Sequence, residues 1–181
     1  MRPVLVFRFS PGDEPGRFAE WLDASGWPWR LVALDSGVGV PERVDDVAGI
    51  GMMGGPMSVN DALPWVASME ALLRDAVHKG VPVIGHCLGG QLLAKALGAD
   101  VTRARTPEIG WIDVEVCGEL GREWFGGRSG FTTFEWHYEG FDLPRGATRV
   151  LTNGLNANQA YVIDQRHIGF AMLEPDLHAV G

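Results

Sequence analysis

Cys87 stands in the segment Gly85-His86-Cys87-Leu88-Gly89-Gly90-Gln91, between the apolar run Val81-Pro82-Val83-Ile84 and the stretch Leu92-Leu93-Ala94-Lys95-Ala96-Leu97. A cysteine on a strand-to-helix turn is placed for nucleophilic chemistry. The sharp turn pushes its side chain out above the sheet, and the flanking glycines clear space that Cβ atoms would fill. A helix starting there offers free backbone N–H groups and a partial positive charge, which favour a thiolate and can hold a developing oxyanion. The plain alternative is a small buried core cysteine. The strand before and the helix after favour the nucleophile.

Strand and helix patterns alternate along the chain, which predicts a parallel sheet covered by helices on both faces. Strands are expected over Pro3 to Phe9, Trp29 to Leu34, Gly49 to Met53 and the run before Cys87. Apolar spacing predicts one helix around Phe18 to Leu22, stopped at Gly26, and another over Trp65 to Lys79, stopped at Gly80. Gly49 to Met53 runs directly into Gly54-Gly55-Pro56-Met57-Ser58-Val59-Asn60-Asp61. Beyond the cysteine helix the pattern changes. Gly110 to Val116 alternates in a period of two and reads as a half-exposed strand of an antiparallel extension. Gly118 to Gly130 reads as a glycine-rich loop, Phe131 to His137 as a strand, and Phe141 to Gly146 as a turn. Short strands at Arg149 to Thr152, Gln159 to Ile163 and Ile168 to Met172 complete the series, with no recognisable helix in the tail.

The 181 residues suit one domain, 1–181, with a good core. Hydrophobic residues at 46% and charged residues at 21% exclude a disordered chain. A net charge of -8 with no basic cluster argues against nucleic acid or an anionic membrane surface as partner. The two cysteines, Cys87 and Cys117, are too few for a disulfide framework and lack metal-ligand spacing, so no metal is expected and a cytoplasmic location is. Val4-Leu5-Val6-Phe7 is too short for a signal segment or a membrane span.

Five motifs in order carry a family resemblance: Gly54 to Asp61, Gly85 to Ala94, Glu108-Ile109-Gly110-Trp111, Glu135-Trp136-His137-Tyr138-Glu139-Gly140-Phe141-Asp142-Leu143-Pro144, and Asn158-Gln159-Ala160. Together they resemble the class I glutamine amidotransferases, and most closely the stand-alone proteins similar to the amidotransferase domain of GMP synthase. The resemblance implies a flavodoxin-like three-layer α/β/α sandwich with a mostly parallel central sheet and an antiparallel extension. It implies hydrolysis of the side-chain amide of glutamine, or of a γ-glutamyl amide, to glutamate and ammonia. Cys87 would attack and form a γ-glutamyl thioester. The backbone N–H groups of Gly55 and Leu88 would form the oxyanion hole, with Gly54 and Gln91 on the substrate side. Gln91 also suits a polar helix start, and Gly54 and Gly55 an ordinary tight turn. No cofactor is implied. No GxxxxGK loop is present, so an amination reaction would need a separate synthetase partner.

The chain departs from the family near its end, where the family's Gly-x-Gln-x-His-x-Glu motif matches Gly169-Phe170-Ala171-Met172-Leu173-Glu174-Pro175. Leu173 then stands at the position of the base and Pro175 at that of the carboxylate. Leucine accepts no proton. The motif reads as a lost triad, through degeneration or a frame change near Phe170, and relatives usually continue into a further helix. His137 is a substitute base, and Glu174 a substitute carboxylate, only if the fold brings them to the sulfur. His178 requires the tail to fold back, His86 should point away from the thiol, and His78 and His167 read as exposed. Two functions remain: an amidotransferase with weak or absent turnover, and a non-catalytic scaffold that binds a ligand or partner. A cysteine hydrolase of the DJ-1 and PfpI type is a weaker third, since Leu88 follows the cysteine where those proteins usually carry histidine.

Overall fold

The structure is a computed structural model that describes residues 1–172. Among these residues nine strands form one sheet in the order β2-β1-β3-β4-β9-β8-β7-β5-β6. The parallel half comprises β1 (Val4–Arg8), β2 (Trp29–Ala33), β3 (Gly49–Met52), β4 (Val83–His86) and β9 (His167–Phe170). The antiparallel half comprises β5 (Val101–Val116), β6 (Gly130–Phe141), β7 (Thr148–Thr152) and β8 (Ala160–Ile163). The expected mostly parallel sandwich with an antiparallel extension is what forms.

Strand β1 shows why the parallel half needs two covering layers. Leu5 and Phe7 enter the large core that also holds residues of α2 (Val66–Lys79) and α3 (Leu88–Ala96). Val4 and Val6 point the other way and pack with Leu22 of α1 (Gly16–Ala24). A strand buried on both faces has no polar side to alternate with, so it reads as a continuous apolar run. The shorter helix α4 (Gly118–Trp124) closes the second face beside β7.

Four expectations are corrected. Gly118 to Gly130 is no loop, because α4 fills its first half and ends where Gly126 and Gly127 adopt positive φ. Gly121 favours that helix, since a Cβ there would lie 2.9 Å from the Val150 carbonyl oxygen and hold α4 off β7. Strand β5 begins at Val101, nine residues before the expected Gly110, because Val101 to Arg103 pair with Glu139 to Phe141 of β6 through the backbone, and after an irregularity the pairing resumes at Glu108, while most side chains from Thr102 to Pro107 remain exposed. Phe141 closes β6 and does not start a turn. His167 is buried, as its strand lies between β4 and β8.

Candidate active site

Cys87 has φ 49 and ψ -109, a left-handed backbone that non-glycine residues adopt at a cost and that clusters at functional positions. Three glycines make the turn possible. A Cβ on Gly85 would lie 2.4 Å from the Gly89 carbonyl, one on Gly89 2.5 Å from Met52 Cβ, and one on Gly90 2.3 Å from the Phe170 carbonyl oxygen. Their absence lets α3 start directly on β3, β4 and β9. The Cys87 amide donates to the Met172 carbonyl at 3.0 Å, which holds the chain leaving β9 beside the elbow.

The thiol is only 6% exposed, yet it lines a cavity of about 400 Å³ with Gly55, Met57, Ser58, Gln91, His137 and Glu139. Its Sγ lies 3.9 Å from the Trp136 carbonyl, the acceptor for its proton. Gly55 is brought against the elbow: a Cβ there would lie 2.7 Å from Leu88 Cδ2 and 2.7 Å from Met57 Sδ. The Leu88 amide donates toward the Cys87 sulfur, and the Gly55 amide has no acceptor among the described residues. Gln91 reaches across the cavity and donates from Nε2 to the Glu139 carbonyl at 3.1 Å. The sequence-derived Cys87, Gly55, Leu88, Gln91 and His137 therefore share one cavity or its wall. Gly54 is the buried residue immediately before Gly55.

The expected thiolate is corrected. Burial pushes the Cys87 thiol up to about 12, the Leu88 amide pulls the other way, and the charges of Glu135 and Asp13 add to the rise. Burial, with two nearby carboxylates adding to it, outweighs the pull of the Leu88 amide at the helix start. Cys87 rests as a thiol.

Beneath the cavity the structure assembles a buried ionic cluster. Strand alternation on β6 turns Thr133, Glu135 and His137 inward, and His137 Nε2 lies 3.2 Å from Glu135 and 3.2 Å from Glu108 on β5, off the N–H axis in both cases. Both carboxylates are fully buried. Glu108 receives hydrogen bonds from Asn153 at 2.5 Å, Asn156 at 2.5 Å and Gln159 at 2.8 Å. Burial would raise Glu108, but His137 and these three carboxamides together hold it below the usual carboxylate range. Burial raises Glu135, whose two oxygens have no hydrogen-bond donor among the described residues. For His137, burial is overcome by the two carboxylates, and its pKa rises to about 9. At neutral pH it is an imidazolium.

Sequence spacing assigned no site role to Glu108, Glu135, Asn153 or Asn156, although Glu108 and Glu135 lie inside the family motifs and Glu135 alternates in register with His137. Asp13 and Arg103 left no such signal. His86 points away from the thiol as expected, stacked on Phe170 at 5.4 Å, and burial lowers it to about 4. His78 is exposed. Leu173, Glu174, Pro175 and His178 lie outside the described residues.

Comparisons with known proteins bear on the same region. The family model for glutamine amidotransferase class-I matches residues 30–170. The chain is 36% identical over 148 residues to a glutamine-hydrolysing GMP synthase of Aeropyrum pernix, covering 82% of this chain and 28% of that protein. It is 32% identical over 122 residues to a glutamine-hydrolysing GMP synthase subunit of Sulfurisphaera tokodaii, covering 66% of this chain and 61% of the relative. The crystal structure of a glutamine amidotransferase from Methylobacillus flagellatus superposes with a TM-score of 0.93 at 45% identity, over 96% of this chain and 70% of that one. One from Thermotoga maritima gives 0.84 at 29% identity, over 94% and 75%. The chain thus spans less than two thirds of the length of these two curated relatives. Among the described residues no helix is long and apolar enough to cross a membrane. With elbow, glycine turn and sheet order all in place, the chain belongs to the class I glutamine amidotransferase family.

Proposed function

We propose that residues 1–181 act as a single amidotransferase domain that hydrolyses glutamine, or a γ-glutamyl amide, through a thioester on Cys87. The supporting observation is the strained elbow: a cysteine at φ 49 lining an amino-acid-sized cavity, with the Leu88 amide at its sulfur and Gly55 packed against Leu88. In this proposal Sγ attacks the side-chain carbonyl, the Gly55 and Leu88 amides receive the oxyanion, and Gly54 and Gln91 shape the substrate side. Ammonia leaves and water then cleaves the thioester. A separate synthetase partner would use the ammonia, in keeping with the Sulfurisphaera relative being one subunit of a synthase.

Turnover is slow in this proposal. With the thiol pushed up to about 12, Cys87 is almost entirely un-ionised at pH 7. Leu173 stands where the family keeps its base, and a general base contributes roughly 10²- to 10⁴-fold. His137 is the substitute base in the described cavity, and it must first lose the proton it holds up to about pH 9. Glu174, the substitute carboxylate, lies outside the described residues. Ammonia release from glutamine is therefore expected to be weak at pH 7, to rise through pH 9, and to vanish in Cys87→Ala. Coupled glutamate detection checks this, and release that survives the substitution sinks the proposal. The high thiol pKa also favours the second reading, a non-catalytic scaffold. Glutamine raising the melting temperature without any ammonia release would select it.

A further inference from the structure

Cys87 lies at the junction of two cavities. The first, described above, carries Arg103 and Glu139 on facing positions of β5 and β6. These opposite charges make no ion pair with each other, and Glu139 instead accepts from Ser58 Oγ at 3.0 Å. A polar cavity with a cation and a carboxylate suits the α-end of a free amino acid. The second cavity, of about 300 Å³, shares Gly55, Pro56, Cys87 and Trp136 and is completed by Ser10, Gly12 and Asp13 of the loop after β1. Among the described residues Asp13 is its single charged wall, and the Asp13 carboxylate has no hydrogen-bond or ion-pair partner among them.

This second cavity has the wrong charge for assisting a thiolate. A carboxylate there opposes ionisation of the thiol, adding a small contribution to the larger rise that burial imposes on Cys87. Its field favours a cation beside the sulfur. The cavity's volume of about 300 Å³ has room for a small organic amine.

We propose that the Asp13 cavity is an acceptor site for a small cationic amine, which takes the γ-glutamyl group from Cys87 in competition with water. The proposal rests on the Cys87 thioester described above. Glutamine first acylates the sulfur and releases ammonia. The acceptor is a short diamine: its ammonium end pairs with Asp13, and its neutral amine attacks the thioester carbonyl. The new C–N bond forms, the C–S bond breaks, and the proton lost by the attacking nitrogen goes to sulfur. Glutamine and the amine become a γ-glutamyl amide and ammonia, with Cys87 regenerated as the thiol. No oxidant or other reactant enters.

The test incubates the full chain with glutamine and 1,3-diaminopropane, or with 3-aminopropanol, which has the same length but no second cation. Mass spectrometry reads the γ-glutamyl amide, and a coupled assay reads glutamate from hydrolysis. The ratio of amide to glutamate is expected to be at least tenfold higher for the diamine than for the amino alcohol, and Asp13→Asn should remove that preference. Glutamate without γ-glutamyl amide at saturating diamine overturns the acceptor site and leaves the hydrolase standing. Equal ratios for the two amines, or a preference that survives Asp13→Asn, overturns the role of Asp13. Neither amide nor glutamate overturns the acceptor site and the thioester together.

Discussion

Replacing His137 with alanine is expected to remove about 3–5 kcal/mol of folding stability, the usual result of deleting one partner from a buried ionic group. His137 is the cation between Glu108 and Glu135, both fully buried. Glu108 would keep its three carboxamide donors, but Glu135 has none among the described residues and would be left with an uncompensated charge or forced to bind a proton. Adding Glu135→Gln to His137→Ala should therefore return part of the loss, because glutamine brings no charge into the same space. The wild-type protein carries the matching pH signature. The folded pKa of His137, about 9, lies above its ordinary value of 6.5, so its contribution is complete below about pH 6.5 and fades as pH rises through 9. That shift corresponds to roughly 3 kcal/mol. Urea midpoints for both variants at pH 7, and for the wild type from pH 6.5 to 9.5, read these effects. A loss under 1 kcal/mol in His137→Ala would show that the cluster does not hold the fold.

The second large effect is expected at Gly90, where alanine should cost about 2–3 kcal/mol and disable the elbow. Its Cβ would lie 2.3 Å from the Phe170 carbonyl oxygen and 2.8 Å from the Phe170 nitrogen. Both are backbone atoms of β9 and cannot swing aside, so α3 must move off the sheet. That movement also strains the buried hydrogen bond from Tyr161 to the Gly90 carbonyl, 2.8 Å long. Cys87 begins the same helix. A shift of about 1 Å at a reacting atom can cost on the order of 100-fold in rate. A diazo-ketone analogue of glutamine should accordingly label Cys87 in the wild type and at least tenfold more slowly in Gly90→Ala. Gly140→Ala is the control, since nothing lies within 4 Å of a Cβ there, and its stability should stay within about 0.5 kcal/mol. Equal labelling and stability in the two variants would refute the close-approach account of the elbow.

Much of the scaffold was legible because the parallel strands are short apolar runs bounded by glycine, and burial on both faces leaves that trace in the sequence. Helix α2 was legible from apolar spacing ending at Gly80, which adopts φ 67. The polar start of β5 was not. Thr102 and Arg103 contribute backbone pairing, which no side-chain pattern records. Helix α4 was hidden for a similar reason, as Gly121 serves a contact with β7 that is distant in the chain.

The amino-acid sequence determined the elbow, the glycine turn and the alternation that builds the sheet. These are local properties: spacing, glycine positions and residue type. Tertiary structure alone decided that Cys87 rests as a thiol, that His137 is an imidazolium held by two glutamates, and that Asp13 lines a cavity with Cys87. The protonation of a buried group depends on which charges and dipoles surround it and how much water they exclude. Glu108, Glu135 and Asp13 reach this site from three separate segments, so their combined field exists only once the sheet has formed.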